Sequence, residues 1–164
     1  MKEIGGKKIM KSICIKDCES QWTNQFGEII AQELLSLYEN TWANTPDIKE
    51  KLKPDLETTS FIVEVKTQTY YTPGTAGEKV LGTPFKYANV PNLYGKPLII
   101  LCIGGIDKLC RIQYGNLNNL QEYEDMPVSK KIDETQEKML DFYKNFNITF
   151  KSASDMIREL LENC

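Results

Sequence analysis

Residues 61–71, FIVEVKTQTYY, form a β-branched and aromatic run that also carries an acid and a lysine two positions apart. Such side chains suit the pleated, half-covered surface of a sheet, so the run predicts a strand. Side chains alternate along a strand, which puts Glu64 and Lys66 on one face and sends Val63 and Val65 to the other, into a core. Burying the charged face without compensation is costly, so the fold around this strand has to supply counter-charge.

The rest of the chain reads around that strand. Between Gln21 and about Asn40 the residues Trp22, Phe26, Ile29, Ile30, Leu34, Leu37 and Tyr38 recur at three- and four-residue intervals and predict an amphipathic helix. Asn44, Pro46 and Pro54 mark a loop, and residues 72–96, rich in Gly, Pro and Asn, predict further loops with a short helix over Ala76–Leu81. PLIILCIGG predicts a second buried strand, and LCRIQYG a third that pairs with it across the IDK turn. Asp133–Phe146 and Ser154–Leu161 have the spacing of amphipathic helices, the last capped by Ser154 and Asp155. Helix, strands, then two helices predict an α/β class with a small mixed central sheet flanked by helices. A length of 164 residues supports one good core, so residues 1–164 are expected to form a single domain.

Composition removes whole classes of chemistry. The chain has no histidine, which excludes Ser-His-Asp triads, Cys-His pairs and His-metal nuclease sites. Its five cysteines, Cys14, Cys18, Cys102, Cys110 and Cys164, form no CxxC pair and are odd in number, which favours reduced thiols and an intracellular, cytoplasmic location. Cys14 and Cys18 have helical spacing, but zinc would need two more ligands from Cys102, Cys110 or carboxylates. The N-terminus lacks the apolar stretch of a signal peptide, and no run reaches the length of about 18 apolar residues that a membrane span needs. A net charge of −3 means that any surface for a polyanion must be local.

The informative stretch is KPDLETTSFIVEVK, residues 53–66. Asp55, Glu64 and the Val65 carbonyl offer hard oxygen donors suited to Mg²⁺, with Mn²⁺ as a substitute. Lys66 is placed to orient an attacking water or to stabilise charge developing on a phosphodiester. Glu57 reads as a further ligand or as a solvated strand end, and Gln68 continues the charged face toward a scissile phosphate or a base edge. TPGTAGEK, residues 72–79, lacks the GK[ST] ending of a Walker motif. Its Gly74, Thr75, Ala76 and Gly77 offer backbone amides at a helix start, and Lys79, Lys86 and Lys96 can neutralise DNA phosphates. Tyr70, Tyr71 and Tyr87 interleave with those lysines as contacts to bases or sugars, or as packing groups. The plain alternatives are an exposed ion pair for Glu64 and Lys66 and an ordinary Gly-rich connection for residues 72–79.

Pro54-Asp55 and Glu64-Val65-Lys66, preceded by a helix carrying Glu28, resemble the signature of the PD-(D/E)xK nuclease superfamily. That superfamily includes type II restriction endonucleases, Holliday-junction resolvases and repair exonucleases. The stretch QTYYTPGTAGEKVLGTPFKYANVPNLYGKPLIIL is more similar to the restriction-endonuclease branch than to resolvases, and the resemblance spans about residues 22–113. It implies a restriction-endonuclease-like fold, a Mg²⁺-dependent endodeoxyribonuclease activity, and a role for Glu28 in the metal shell. DNA is the implied partner, with a homodimer to cut both strands and a DNA methyltransferase as companion. A junction resolvase or repair nuclease is the nearest alternative, and a nuclease-like fold kept as an inactive binding module is the next.

Overall fold

The computed structural model describes residues 22–39, 41–68, 76–114, 117 and 132–162. Helix α1 spans Trp22–Glu39 and is followed by strands β1, Leu56–Glu57, and β2, Ile62–Gln68. Helices α2, Ala76–Lys86, and α3, Val90–Tyr94, lead to strand β3, Leu98–Gly104. Helices α4, Gly105–Gln113, and α5, Glu134–Asn145, precede strand β4, Ile148–Ser152, and helix α6, Ala153–Glu162. The strands form a mixed four-stranded sheet in the order β1-β2-β3-β4, with β1 antiparallel to β2 and the other neighbours parallel. The fold is therefore mixed α/β, with helices on the sheet.

Strand alternation divides the core in two. Ile62, Ile100, Cys102 and Phe150 meet Val80, Val90, Ile106 and Leu109 from α2, α3 and α4 on one face. Val63, Val65, Leu101 and Ile103 meet Leu34, Leu35, Ala153 and Met156 from α1 and α6 on the other. Because β2 is covered on both sides, Glu64 is only 5% exposed. At the far end of β3 and β4, fully buried Arg111 pairs with Asp107 at 2.8 Å and Asp155 at 3.1 Å. It also donates to the Ser152 hydroxyl at 3.3 Å, so the network joins α4, β4 and α6.

Several sequence expectations change. LCRIQYG is not a strand: the chain passes straight from β3 into α4 through Gly104, whose φ of +67° suits glycine and ends the strand. Ile106, Leu109 and Cys110 then follow helical spacing toward the core, and Asp107 and Arg111 pair one turn apart. The helix expected over Ala76–Leu81 runs on to Lys86, through Pro84, and α3 occupies more of the expected loop. The final helix begins at Ala153, and its cap is Ser152, whose hydroxyl accepts from the Asp155 amide at 3.0 Å, not Ser154 or Asp155. Strands β1 and β4 were not anticipated. Among the described residues no helix is long and apolar enough to cross a membrane.

Gly27 sets how closely α1 approaches the sheet. A Cβ there would lie 1.7 Å from Thr67 Oγ1 and 2.6 Å from Thr67 Cβ. Gly27→Ala is expected to push α1 off β2 and destabilise the protein by about 1–3 kcal/mol, the usual cost of overpacking. A urea melt checks this by a lower midpoint at unchanged slope.

Candidate active site

β1 pairs with β2 only through Leu56 opposite Val63 and Glu57 opposite Ile62, so β1 begins too late in the chain to pair with Val65. Asp55, the residue just before β1, fills the gap: its Oδ2 accepts from the Val65 N–H at 2.7 Å. The carboxylate thus takes the place of a ladder carbonyl and is fixed beside β2. Pro54 before it is buried and has no N–H to satisfy. On β2, Lys66 Nζ donates to Glu64 Oε1 at 2.6 Å and reaches the Val65 carbonyl at 3.4 Å. Glu64 Oε2 is buried and has no hydrogen-bond partner among the described residues.

The site holds like charges at close quarters. Burial pushes the Asp55 carboxyl above its ordinary range, while the Val65 amide and then Lys66, Lys86 and Lys53 pull it back. Burial and then the Asp55 charge push Glu64 up, against Lys66 and Lys86. Glu28 is exposed on α1, yet its carboxyl is also raised, by partial burial and then by Asp55, with Lys53 opposing. Tyr87 is 4% exposed, and burial followed by the Glu64 and Asp55 charges keeps its phenol protonated.

Asp55, Glu64, Val65 and Lys66 are therefore brought together, with Lys86, Tyr87 and Glu28 in electrostatic reach. Other candidates lie elsewhere. Lys96 pairs with Glu57 at 2.7 Å and donates to the Thr58 carbonyl at 2.7 Å, which ties up both residues as structure. Gly77 is buried against the Tyr114 ring, 2.5 Å from where a Cβ would stand, so any larger residue there has to displace that ring. Lys79 is exposed on α2 and is not one of the lysines that act on Asp55, which are Lys66, Lys86 and Lys53. Gln68 is buried, and neither atom of its amide finds a partner among the described residues. Tyr70, Tyr71, Gly74 and Thr75 lie outside the described residues, as do Cys14 and Cys18. Sequence reasoning missed Lys53, although its place two residues before Asp55 was a signal, and it missed Gly27, which had none.

Two carboxylates and a backbone carbonyl form a hard donor set, and the buried, unpartnered Glu64 Oε2 beside Asp55 is an arrangement that a cation relieves. The residues fit a divalent ion of the Mg²⁺ or Mn²⁺ type. Among the described residues no group of three or more His, Cys, Asp or Glu side chains gathers in metal-binding fashion. Comparison with protein-family models, curated proteins and solved structures finds no match.

A raised carboxyl pKa means that ionisation costs stability. The stabilising contribution of Glu64 is complete below its unfolded value, near 4.5, and is lost as pH rises through the higher folded value. Metal-free wild type should therefore lose melting temperature from about pH 4.5 upward more steeply than Glu64→Gln, and the variant should be at least as stable at pH 7. Thermal melts of both in a chelator across that range check the sign. A wild type that is more stable than Glu64→Gln at pH 7 contradicts it.

Proposed function

We propose that the protein is a metal-dependent endodeoxyribonuclease of the PD-(D/E)xK type, in its restriction-endonuclease-like branch. The observation that supports this most is the Asp55 carboxylate locked on the Val65 amide beside the Glu64–Lys66 pair, with one Glu64 oxygen buried and unpartnered. Asp55, Glu64 and the Val65 carbonyl would hold Mg²⁺ or Mn²⁺. The chemistry such an ion supplies when bound is neutralisation of charge on the phosphate and a more acidic water.

The chain's own groups do the remaining work. Lys66 has three N–H donors, of which one is used on Glu64 and a second reaches the Val65 carbonyl, leaving the third for the attacking water or a phosphate oxygen. Its ammonium holds the water in line as one P–O bond forms and the opposite one breaks, and it offsets the negative charge that builds up. Glu28, at the exposed margin of α1 and in the field of Asp55, would steady a water at the edge of the site. Cutting both strands of a duplex takes two such sites, so a homodimer belongs to the proposal.

Asp55→Ala and Glu64→Ala are each expected to abolish Mg²⁺-dependent cleavage of plasmid DNA with the fold retained, and EDTA should do the same to wild type. Lys66→Ala should lower kcat with little loss of DNA affinity. Glu28→Gln should raise the Mg²⁺ concentration for half-maximal cleavage by about tenfold, and should also weaken the thermal upshift that Mg²⁺ gives. Cutting of linear duplex at fixed positions identifies the restriction branch, whereas cutting of branched DNA alone assigns a resolvase or repair role. DNA binding with no cleavage under any divalent ion would leave a binding module in its place.

A further inference from the structure

Lys66 is already engaged by Glu64 at 2.6 Å, so much of its charge is met inside the protein. Lys86, the last residue of α2, is different. It is exposed and makes no salt bridge among the described residues, yet its long side chain is not left to wander. Its Nζ donates to the Tyr87 hydroxyl at 3.1 Å and lies 4.6 Å from the centre of that ring. Tyr87 is itself buried, its N–H bonded to the Thr83 carbonyl at 3.0 Å and its hydroxyl donating to the Lys53 carbonyl at 3.4 Å. One phenol oxygen thus ties the end of α2 to the segment Lys53-Pro54-Asp55 and holds an ammonium there. A cation held by a neutral oxygen and a ring face keeps its charge available to an anion from outside. Lys66 and Lys86 are also the two lysines whose charge acts on both Asp55 and Glu64.

We propose that Lys86 is a second catalytic cation of this site, contacting a non-bridging oxygen of the DNA phosphate under attack, and that Tyr87 is the positioning residue that aims it. The proposal rests on the nuclease reading and adds to it a group that acts on the substrate directly, apart from the metal-holding carboxylates. It also separates Lys86 from Lys79, a lysine of the same helix that lies among the ordinary surface charges.

The test uses Lys86→Met, Lys86→Arg, Tyr87→Phe and the double variant Lys86→Met with Tyr87→Phe, with Lys138→Met on α5 as a neutralised surface control. Cleavage of a short duplex gives kcat and KM, anisotropy of a labelled duplex in Ca²⁺ gives binding, and melts report folding. Lys86→Met is expected to lower kcat/KM by at least about tenfold, mostly in kcat, and Lys86→Arg to recover part of it. Tyr87→Phe keeps the ring and should lower kcat several-fold, but in the Lys86→Met background it should cost nothing further, because it acts through the lysine. Lys138→Met should match wild type. Lys86→Met with wild-type kcat overturns the proposal, and an undiminished Tyr87→Phe effect without the lysine overturns the positioning role. Should Tyr87→Phe fail to fold, the two Lys86 variants still decide. A wild type that cuts no DNA overturns the nuclease reading itself, an outcome distinct from active wild type with silent Lys86 variants.

Discussion

The bond from the Val65 amide to Asp55 is where the backbone and the chemistry of this protein meet. An edge N–H left unpaired would cost about as much as a lost hydrogen bond, and a two-residue β1 is too short to satisfy it. Asp55 satisfies it with a side chain, which spends one carboxylate oxygen on the fold. The same bond pins that carboxylate next to a second one on β2, at a place chosen by where β1 begins. The geometry of the site therefore follows from a strand that is shorter than its neighbour.

Covering β2 on both faces turns this proximity into strain. An antiparallel ribbon with one wet face could carry Glu64 and Lys66 as an ordinary surface pair. Here the crossover through α2 and α3 lays helices over the same face, so Glu64 is buried with one oxygen unmatched. Burial raises both carboxyls and the Asp55 charge raises Glu64 further, and the lysines only partly compensate. Local cost of this sort, offset by packing of Ile62, Ile100 and their neighbours, is how folded proteins hold reactive groups in place.

Much of this was legible in the sequence where periodicity was long or strict. The recurrence of Phe26, Ile30 and Leu34 predicted α1, and the β-branched residues of 62–68 and 98–104 predicted β2 and β3. Alternation alone put Glu64 and Lys66 on one face. The misreading of LCRIQYG has a physical origin, since a short apolar run fits a strand or a buried helix equally well. What decided it was the backbone at Gly104 and the packing of Leu109 and Cys110, neither of which is a periodic signal. Strand β4 is five residues long and directly joined to α6, and its short alternation fell unread between the helices expected over Asp133–Phe146 and Ser154–Leu161. The convergence of Lys86 and Tyr87 on the carboxylates depends on how α2 packs and could not be read from spacing.

The buried Arg111 network has a consequence for how this sequence can drift. Asp107 and Arg111 sit on one helix, while Ser152 and Asp155 come 41 and 44 positions later, yet the four share one solvent-free cluster. Loss of Arg111 strands both carboxylates in the interior at a cost of about 3–5 kcal/mol, a large part of the about 5–15 kcal/mol that holds a typical domain together. Replacement of the whole set by apolar residues of similar volume carries no such penalty. Related chains should accordingly fall into two groups at these positions, those that keep the arginine with a carboxylate and those that have exchanged the set for hydrocarbon, with chains that keep the carboxylates but lack the arginine under-represented.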